Sequence, residues 1–140
     1  MKRFSMFVPA LLVFMSSIAC FAQTNNKNGV AVSPTTVEVY YFHFTQRCAT
    51  CLAVEDNAKK AVESLYPSQV KKGEVIFKGL NLDDATTKAV ADKLGIGGQT
   101  LLVVCGGKKI DITSQAFLNA HDVKKMQEEI RKAVEQALKG

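Results

Sequence analysis

Two cysteines separated by two residues, Cys48 and Cys51 in the run Cys-Ala-Thr-Cys, are the residues of this 140-residue chain best suited to chemistry. A dithiol at this spacing can form a disulfide, exchange that disulfide with other thiols, or bind a thiophilic ion. The two other cysteines, Cys20 and Cys105, lie far from the pair in the sequence. The chemistry open to the pair depends on the elements that position it.

The pair follows a predicted strand and lies at the start of a predicted helix. The run Val37 to Phe44 is β-branched and aromatic, and Cys51 to Leu65 has the apolar spacing of a helix. A helix start offers unpaired amides and the positive end of the helix dipole, which lower the pKa of a thiol below the free value of ~8.5. We therefore expect Cys48 to be an exposed nucleophile, Cys51 to face inward as the resolving thiol, and the cation of Arg47 to activate Cys48.

The remaining apolar patterns predict five further elements after this helix. They are a strand from Gly73 to Asn81, a helix from Asp83 or Asp84 to Leu94, a buried strand from Thr100 to Val104, a strand from Lys109 to Thr113 and a final helix capped by Asp122. The final helix carries an apolar stripe of Val123, Met126, Ile130, Val134 and Leu138. Alternating strands and helices predict an α/β fold.

This element order resembles thioredoxin over roughly Val37 to Leu138. The segment Gly-Ile-Gly-Gly-Gln-Thr-Leu-Leu from Gly95 to Leu102 is similar to the thioredoxin segment before its third strand, and Gly107 matches the following hairpin glycine. The resemblance implies a three-layer α/β/α fold with a mixed central sheet of about four strands and flanking helices. It also implies that the redox-active cysteine pair works without a cofactor.

Five positions depart from the thioredoxin pattern. Arg47 replaces the usual tryptophan, Ala-Thr replaces the Gly-Pro between the cysteines, and Phe42 replaces a buried aspartate. Gln99 stands at the position of the cis-proline, and a non-proline cis bond costs ~3 kcal/mol, so we expect a trans bond there. Gln99 and Thr100 are the predicted substrate-facing edge. An exported thioredoxin-like subgroup with a Tyr-Phe-His…Arg-Cys-x-x-Cys signature is a closer match.

His43 has two interpretations. It lies five residues before Cys48 and could be a proton acceptor or a third soft ligand, but a histidine satisfied at the end of a strand is the favoured interpretation. Cys105, at the far end of the third strand, is expected to be a passive thiol. No set of four ligands for a structural zinc is evident, so no resident metal is predicted.

The N-terminus has the charged, apolar and small-residue order of a secretory signal over residues 1–22, followed by a polar tether over 23–34 and the folded domain over 35–140. Cleavage after Ala22 is the favoured interpretation. Lipid attachment at Cys20 and an uncleaved anchor are the alternatives. We expect an exported protein, periplasmic or extracellular, with membrane attachment only if Cys20 is lipidated.

Removing the leader's Lys2 and Arg3 lowers the net charge from +5 to +3, which does not favour a nucleic-acid partner. The sequence therefore predicts an exported thiol–disulfide oxidoreductase, with protein or small-molecule thiols and disulfides as partners and a membrane electron donor as a further candidate. A carrier of Cu(I) or As(III) and a partner-binding module are the alternatives. The direction of electron flow stays open.

Overall fold

A computed structural model describes residues 36–139, and the predicted leader, the lipid acceptor Cys20 and the tether lie outside these residues. Residues 36–139 form four strands and five helices. In chain order they are β1 (Val37–His43), α1 (Ala49–Leu65), α2 (Pro67–Lys72), β2 (Val75–Asn81), α3 (Ala85–Leu94), β3 (Thr100–Cys105), β4 (Lys108–Asp111), α4 (Thr113–Leu118) and α5 (Val123–Leu138). None of these helices is long and apolar enough to cross a membrane.

The four strands make one mixed sheet, as predicted, and their order in it is β2-β1-β3-β4. β1 is central; it runs parallel to β2 and antiparallel to β3. His43 lies opposite Asn81, and Phe42 lies opposite Thr100. The end of β1 that leads to the dithiol therefore lies beside the end of β2 and the start of β3.

Side chains of β1 alternate between two cores, one on each face of the sheet, because successive residues of a strand point to opposite sides. Tyr41 packs in the larger core, to which α1 and α5 contribute, and Phe42 packs in the smaller core against α3. Helices on both faces of the sheet confirm the predicted three-layer α/β/α architecture.

Two short helices were not predicted. α1 ends at Leu65 as expected, but Pro67 then occupies the first turn of α2, where its missing N–H is not needed. α2 ends at Gly73 in the left-handed region (φ 74°), so β2 begins at Val75 rather than at Gly73. The strand predicted to reach Thr113 ends at Asp111, because Thr113 begins α4.

The apolar stripe of α5 is confirmed at its centre and differs at its ends. Met126, Ile130 and Val134 are buried, whereas Val123 and Leu138 are 41% and 56% exposed. Asp122 caps the helix as predicted, since its carboxylate accepts the N–H of Lys125 at 3.0 Å. The middle of α5 therefore anchors the larger core.

Truncation of the fully buried Ile130 tests this anchor. Ile130→Ala should lower the free energy of unfolding by about 2–5 kcal/mol, because the substitution loses buried apolar surface and leaves a cavity. Leu138→Ala, on the same helix at an exposed position, is the matched control and should cost much less. Urea denaturation of both variants measures the difference, and equal losses would contradict the assignment.

Candidate functional site

Cys48 is the N-cap of α1. Its backbone is extended (φ −78°, ψ 165°), and its Sγ accepts the N–H of Cys51 at 3.2 Å. Its carbonyl accepts the N–H of Leu52 at 3.1 Å, which is the first bond of the helix. A cysteine replaces the hydroxyl or carboxylate that usually caps a helix, so the sulfur lies where the unpaired amides concentrate positive potential.

The two sulfurs of the pair are joined as a disulfide with unequal exposure. Their Cα atoms are 5.2 Å apart. Cys48 is exposed, and Cys51 is only 8% exposed because it lies one helical turn on, over the larger core. A partner sulfur can therefore approach Cys48 directly, whereas Cys51 is shielded. Both positions agree with the sequence prediction.

Arg47 is paired with a carboxylate that the sequence analysis did not single out. Its guanidinium donates to Oε2 of Glu55 on α1, and both side chains are about one-quarter exposed (24% and 25%). The carboxylate lies over Gly79 of β2, where a Cβ would overlap Oε1 of Glu55. Glu55 thus compensates part of the charge that Arg47 was expected to offer to Cys48.

The loop between β1 and α1 is attached to the end of β2. The backbone N–H of Thr45 donates to Oδ2 of Asp83 at 2.7 Å, and Nδ2 of Asn81 donates to Oγ1 of Thr45 at 2.9 Å. The N–H of Leu82 donates to the carbonyl of His43 at 2.7 Å. These bonds hold the chain that delivers Cys48 to the start of α1.

Tyr41 and Gln99 form a polar contact beneath the dithiol, and the sequence analysis did not single out Tyr41. The tyrosine is fully buried, and its hydroxyl donates to the carbonyl of Cys51 at 3.1 Å. Nε2 of Gln99 donates to that hydroxyl at 2.5 Å, and Oε1 of Gln99 lies 3.8 Å from Sγ of Cys51. Gln99, predicted to face a substrate, therefore also contacts the buried sulfur.

Burial raises the pKa of Tyr41 above its usual value of 10.0, and the hydrogen bond from Gln99 opposes this effect only in part. The hydroxyl therefore stays protonated and can act as a donor. A signal for this role was present in the sequence, since strand alternation places residue 41 on the face that meets the helix after the CxxC. A polar tip on that face needs a partner.

The other predicted site residues lie nearby without touching the sulfurs. His43 is 8% exposed, and its Nδ1 lies 2.9 Å from the carbonyl of Phe44. Thr100 is also 8% exposed, and its hydroxyl donates to the carbonyl of Gly98 at 3.0 Å. The hydroxyl of Thr100 is therefore directed into its own loop. As expected for Gln99, no peptide bond within residues 36–139 is cis.

No three His, Cys, Asp or Glu side chains within residues 36–139 come together as a metal site. His43 is consequently not assembled with the two cysteines as a third donor. Cys105 is a buried free thiol that lies opposite Val37, at the end of β1 away from the dithiol. Cys48 and Cys51 are the two cysteines that the structure brings together.

The ion pair beside the dithiol predicts a change in redox equilibrium. Glu55→Gln should leave the charge of Arg47 uncompensated near Cys48 and stabilise its thiolate. The equilibrium with glutathione should move toward the reduced protein by about tenfold, or ~30 mV. Quantifying the Cys48–Cys51 disulfide in glutathione buffers measures this shift. Glu63→Gln, at an exposed position of the same helix, is the control. The same equilibrium constant with glutathione in Glu55→Gln and Glu63→Gln would contradict the prediction.

The loop attachment predicts a pH-dependent stability. The pKa of Asp83 lies below its usual 3.8 because the backbone and side chain of Thr45 donate to its carboxylate, with a smaller effect of His43. The stabilisation is therefore present above pH 3.8 and is lost as the pH falls through the lower pKa of the folded protein. At pH 7 the native protein should have a higher midpoint of thermal unfolding than the Asp83→Asn variant. The two midpoints should approach each other as the pH falls below 3.8. Asp84→Asn, which removes a neighbouring charge without a capping bond, is the control; a constant difference at all pH values would contradict the prediction.

Comparisons with known proteins give a likeness in structure only. No family model and no curated protein matches the sequence. The solved structure of human ERp44 in its zinc-bound form is similar, with a TM-score of 0.53 and 16% identity over 72% of this chain. A structure described as a malarial protein matches with a TM-score of 0.47 and 18% identity, over 70% of this chain and 97% of that one.

The chain spans 28% of the length of human ERp44, so the likeness concerns one part of that protein. At such low identity the comparison shows the fold alone. The mixed sheet with helices on both faces agrees with this likeness. Residues 36–139 have a thioredoxin-like fold.

Proposed function

We propose that this protein is an exported thiol–disulfide oxidoreductase that exchanges electrons with partner disulfides or thiols through Cys48 and Cys51. A thioredoxin-like fold with a CxxC pair supports a disulfide-related function. The observation that carries the proposal is the cap of α1, where the exposed sulfur of Cys48 accepts a backbone N–H and is bonded to the buried sulfur of Cys51. This is the asymmetry that an attacking and a resolving thiol require.

The exchange runs in two steps. In the reduced protein the Cys48 thiolate attacks a partner disulfide, forms a mixed disulfide and releases one partner thiolate. Cys51 then loses its proton and attacks Sγ of Cys48, which forms the internal disulfide and releases the second partner thiolate. The partner gains two electrons, and its two thiolates take up the proton of Cys51 and one proton from water. The same steps in reverse oxidise a partner dithiol.

The direction of exchange depends on how strongly the site stabilises the Cys48 thiolate. The amides of α1 favour the thiolate, and the carboxylate of Glu55 limits the contribution of Arg47. A potential near that of thioredoxin, about −270 mV, would indicate a reductant, and one near about −120 mV would indicate an oxidant. Titration against glutathione distinguishes them.

Export is part of the proposal. Residues 1–22 have the order of a cleavable leader and residues 23–34 are polar, so the domain over 35–140 would act in the periplasm or outside the cell. Proteins or small molecules with thiols or disulfides are the proposed partners, together with a membrane electron donor. Lipid at Cys20 would attach the domain to a membrane.

The alternatives use the same two sulfurs. A carrier would hold Cu(I) or As(III) between Cys48 and Cys51, and a binding module would use the pair only to attach a partner. The position of His43 does not favour the carrier, because its Nδ1 meets the carbonyl of Phe44 and no three-residue cluster forms within residues 36–139. We therefore propose exchange in preference to the carrier.

Substitution of each cysteine tests the proposal. Cys48→Ser should abolish reduction of insulin and oxidation of a reduced peptide, because the attacking sulfur is lost. Cys51→Ala should accumulate a mixed disulfide at Cys48, visible on non-reducing gels, because the resolving step is lost. Cys105→Ala, which removes the buried distant thiol, is the control and should retain activity. Absence of any mixed disulfide together with tight binding of one Cu(I) or As(III) would contradict exchange and favour the carrier.

A further inference from the structure

Gln99 and Tyr41 link the sulfur of Cys51 to its own backbone carbonyl. From the sulfur, the contacts run to Oε1 of Gln99 at 3.8 Å, from Nε2 of Gln99 to the hydroxyl of Tyr41 at 2.5 Å, and from that hydroxyl to the carbonyl of Cys51 at 3.1 Å. The three contacts close a ring of Cys51, Gln99 and Tyr41, in which Gln99 and Tyr41 are distant in the sequence. No buried side-chain nitrogen or oxygen of the described chain lacks a partner.

The ring sets the orientation of the Gln99 amide. The hydroxyl hydrogen of Tyr41 is directed to the carbonyl of Cys51, so only its lone pairs face Gln99. The group of Gln99 that meets these lone pairs must be the NH₂, and the carbonyl oxygen must then face the sulfur. Tyr41 is thus a positioning residue, and Gln99 presents an acceptor to Cys51.

We propose that Gln99, oriented by Tyr41, holds the Cys51 thiol in its protonated form in the reduced protein, so that Cys48 alone carries the thiolate. The oxygen of Gln99 accepts the S–H of Cys51 and disfavours a negative sulfur in its place. The importance of this hydrogen bond for turnover rests on the proposed disulfide exchange. It also gives position 99, where thioredoxin has its cis-proline, a role at the resolving sulfur.

The other ionisable groups around Cys51 do not supply this acceptor. On its own helix, the carboxylate of Glu55 is paired with Arg47, and the sulfur of Cys48 accepts the backbone N–H of Cys51. On β1, His43 has its ring centroid 5.9 Å from that of Tyr41, and its Nδ1 meets the carbonyl of Phe44. Gln99 is the neighbour whose oxygen is directed at the sulfur.

The inference concerns the second step of the exchange. While the thiol of Cys51 donates to Gln99, it cannot compete with Cys48 for the partner disulfide. When the mixed disulfide has formed, the proton of Cys51 passes to the departing partner thiolate, and the new sulfur–sulfur bond forms with Cys48. The partner sulfur leaves as a thiol, so no further oxidant or reductant enters.

The test measures the protonation of Cys51 directly. In a Cys48→Ser background, whose hydroxyl keeps the cap of α1, the rate of alkylation by iodoacetamide is measured against pH. Adding Tyr41→Phe releases the Gln99 amide, whose NH₂ can then face the sulfur. The midpoint of the pH profile of alkylation should then fall by about one pH unit. Adding Gln99→Glu places a carboxylate there, so the midpoint should rise by one unit or more.

Two controls separate this effect from others. Tyr40→Phe removes the hydroxyl of the neighbouring tyrosine, which packs in the smaller core, and should leave the midpoint unchanged. The variant with both Cys48 and Cys51 replaced by serine reports alkylation at Cys20 and Cys105 for subtraction. Circular dichroism verifies that each variant is folded, and the polar, half-buried position of Gln99 keeps the test available if Tyr41→Phe does not fold.

Unchanged midpoints in folded Tyr41→Phe and Gln99→Glu variants would overturn the role of Gln99. Shifts of the same sign in both variants would also overturn it, since the proposal requires opposite signs. The alkylation readout does not depend on exchange with a partner. Shifted midpoints in a protein that never forms a mixed disulfide would therefore refute the proposed function while upholding the role of Gln99.

Discussion

The first turn of α1 presents backbone N–H groups that have no partner within the helix, and the sulfur of Cys48 accepts one of them, the N–H of Cys51. The rest of the site serves this contact. β1 ends just before the loop that leads to Cys48, and in this loop Thr45 is hydrogen-bonded to Asn81 and Asp83 at the end of β2. The cysteine that caps the helix is also the exposed one, so the atom stabilised by the helix is the atom that a partner can reach.

Charges near this contact are balanced rather than one-sided. Arg47 directly precedes the capping cysteine, but Glu55 holds its guanidinium from the second turn of α1. The carboxylate has room there because residue 79 of β2 has no side chain. The potential at Cys48 is consequently set by the helix amides together with a compensated ion pair, and a partly shielded pair has a smaller effect than a free cation.

Below the disulfide, hydrogen bonds join neutral groups. Phe42 is directed into the smaller core, and Tyr41 on the opposite face brings a hydroxyl to the carbonyl of Cys51. Gln99 completes the contact from the loop before β3. A network of neutral groups avoids the cost of burying a charge beneath the sulfurs.

Local patterns in the sequence determined most of the elements. The buried strand before the CxxC, the helix after it, the hairpin at Gly107 and the centre of α5 follow from spacing and from turn residues, which act within a few positions of the chain. The short helices α2 and α4 escaped this reasoning. Pro67 can end one helix and begin another, and Thr113 continues the strand pattern in the sequence but begins α4 in the structure.

The sequence by itself therefore determined where the two cysteines lie in the fold and which of them is exposed, because a strand followed by a helix start imposes that geometry locally. Only the tertiary structure decided their neighbours. Tyr41 and Gln99 are 58 positions apart and meet because β3 lies antiparallel beside β1. Glu55 reaches Arg47 over a glycine that the pairing of β1 with β2 brings beneath it. Such partners depend on strand order and packing, which spacing along a chain does not encode.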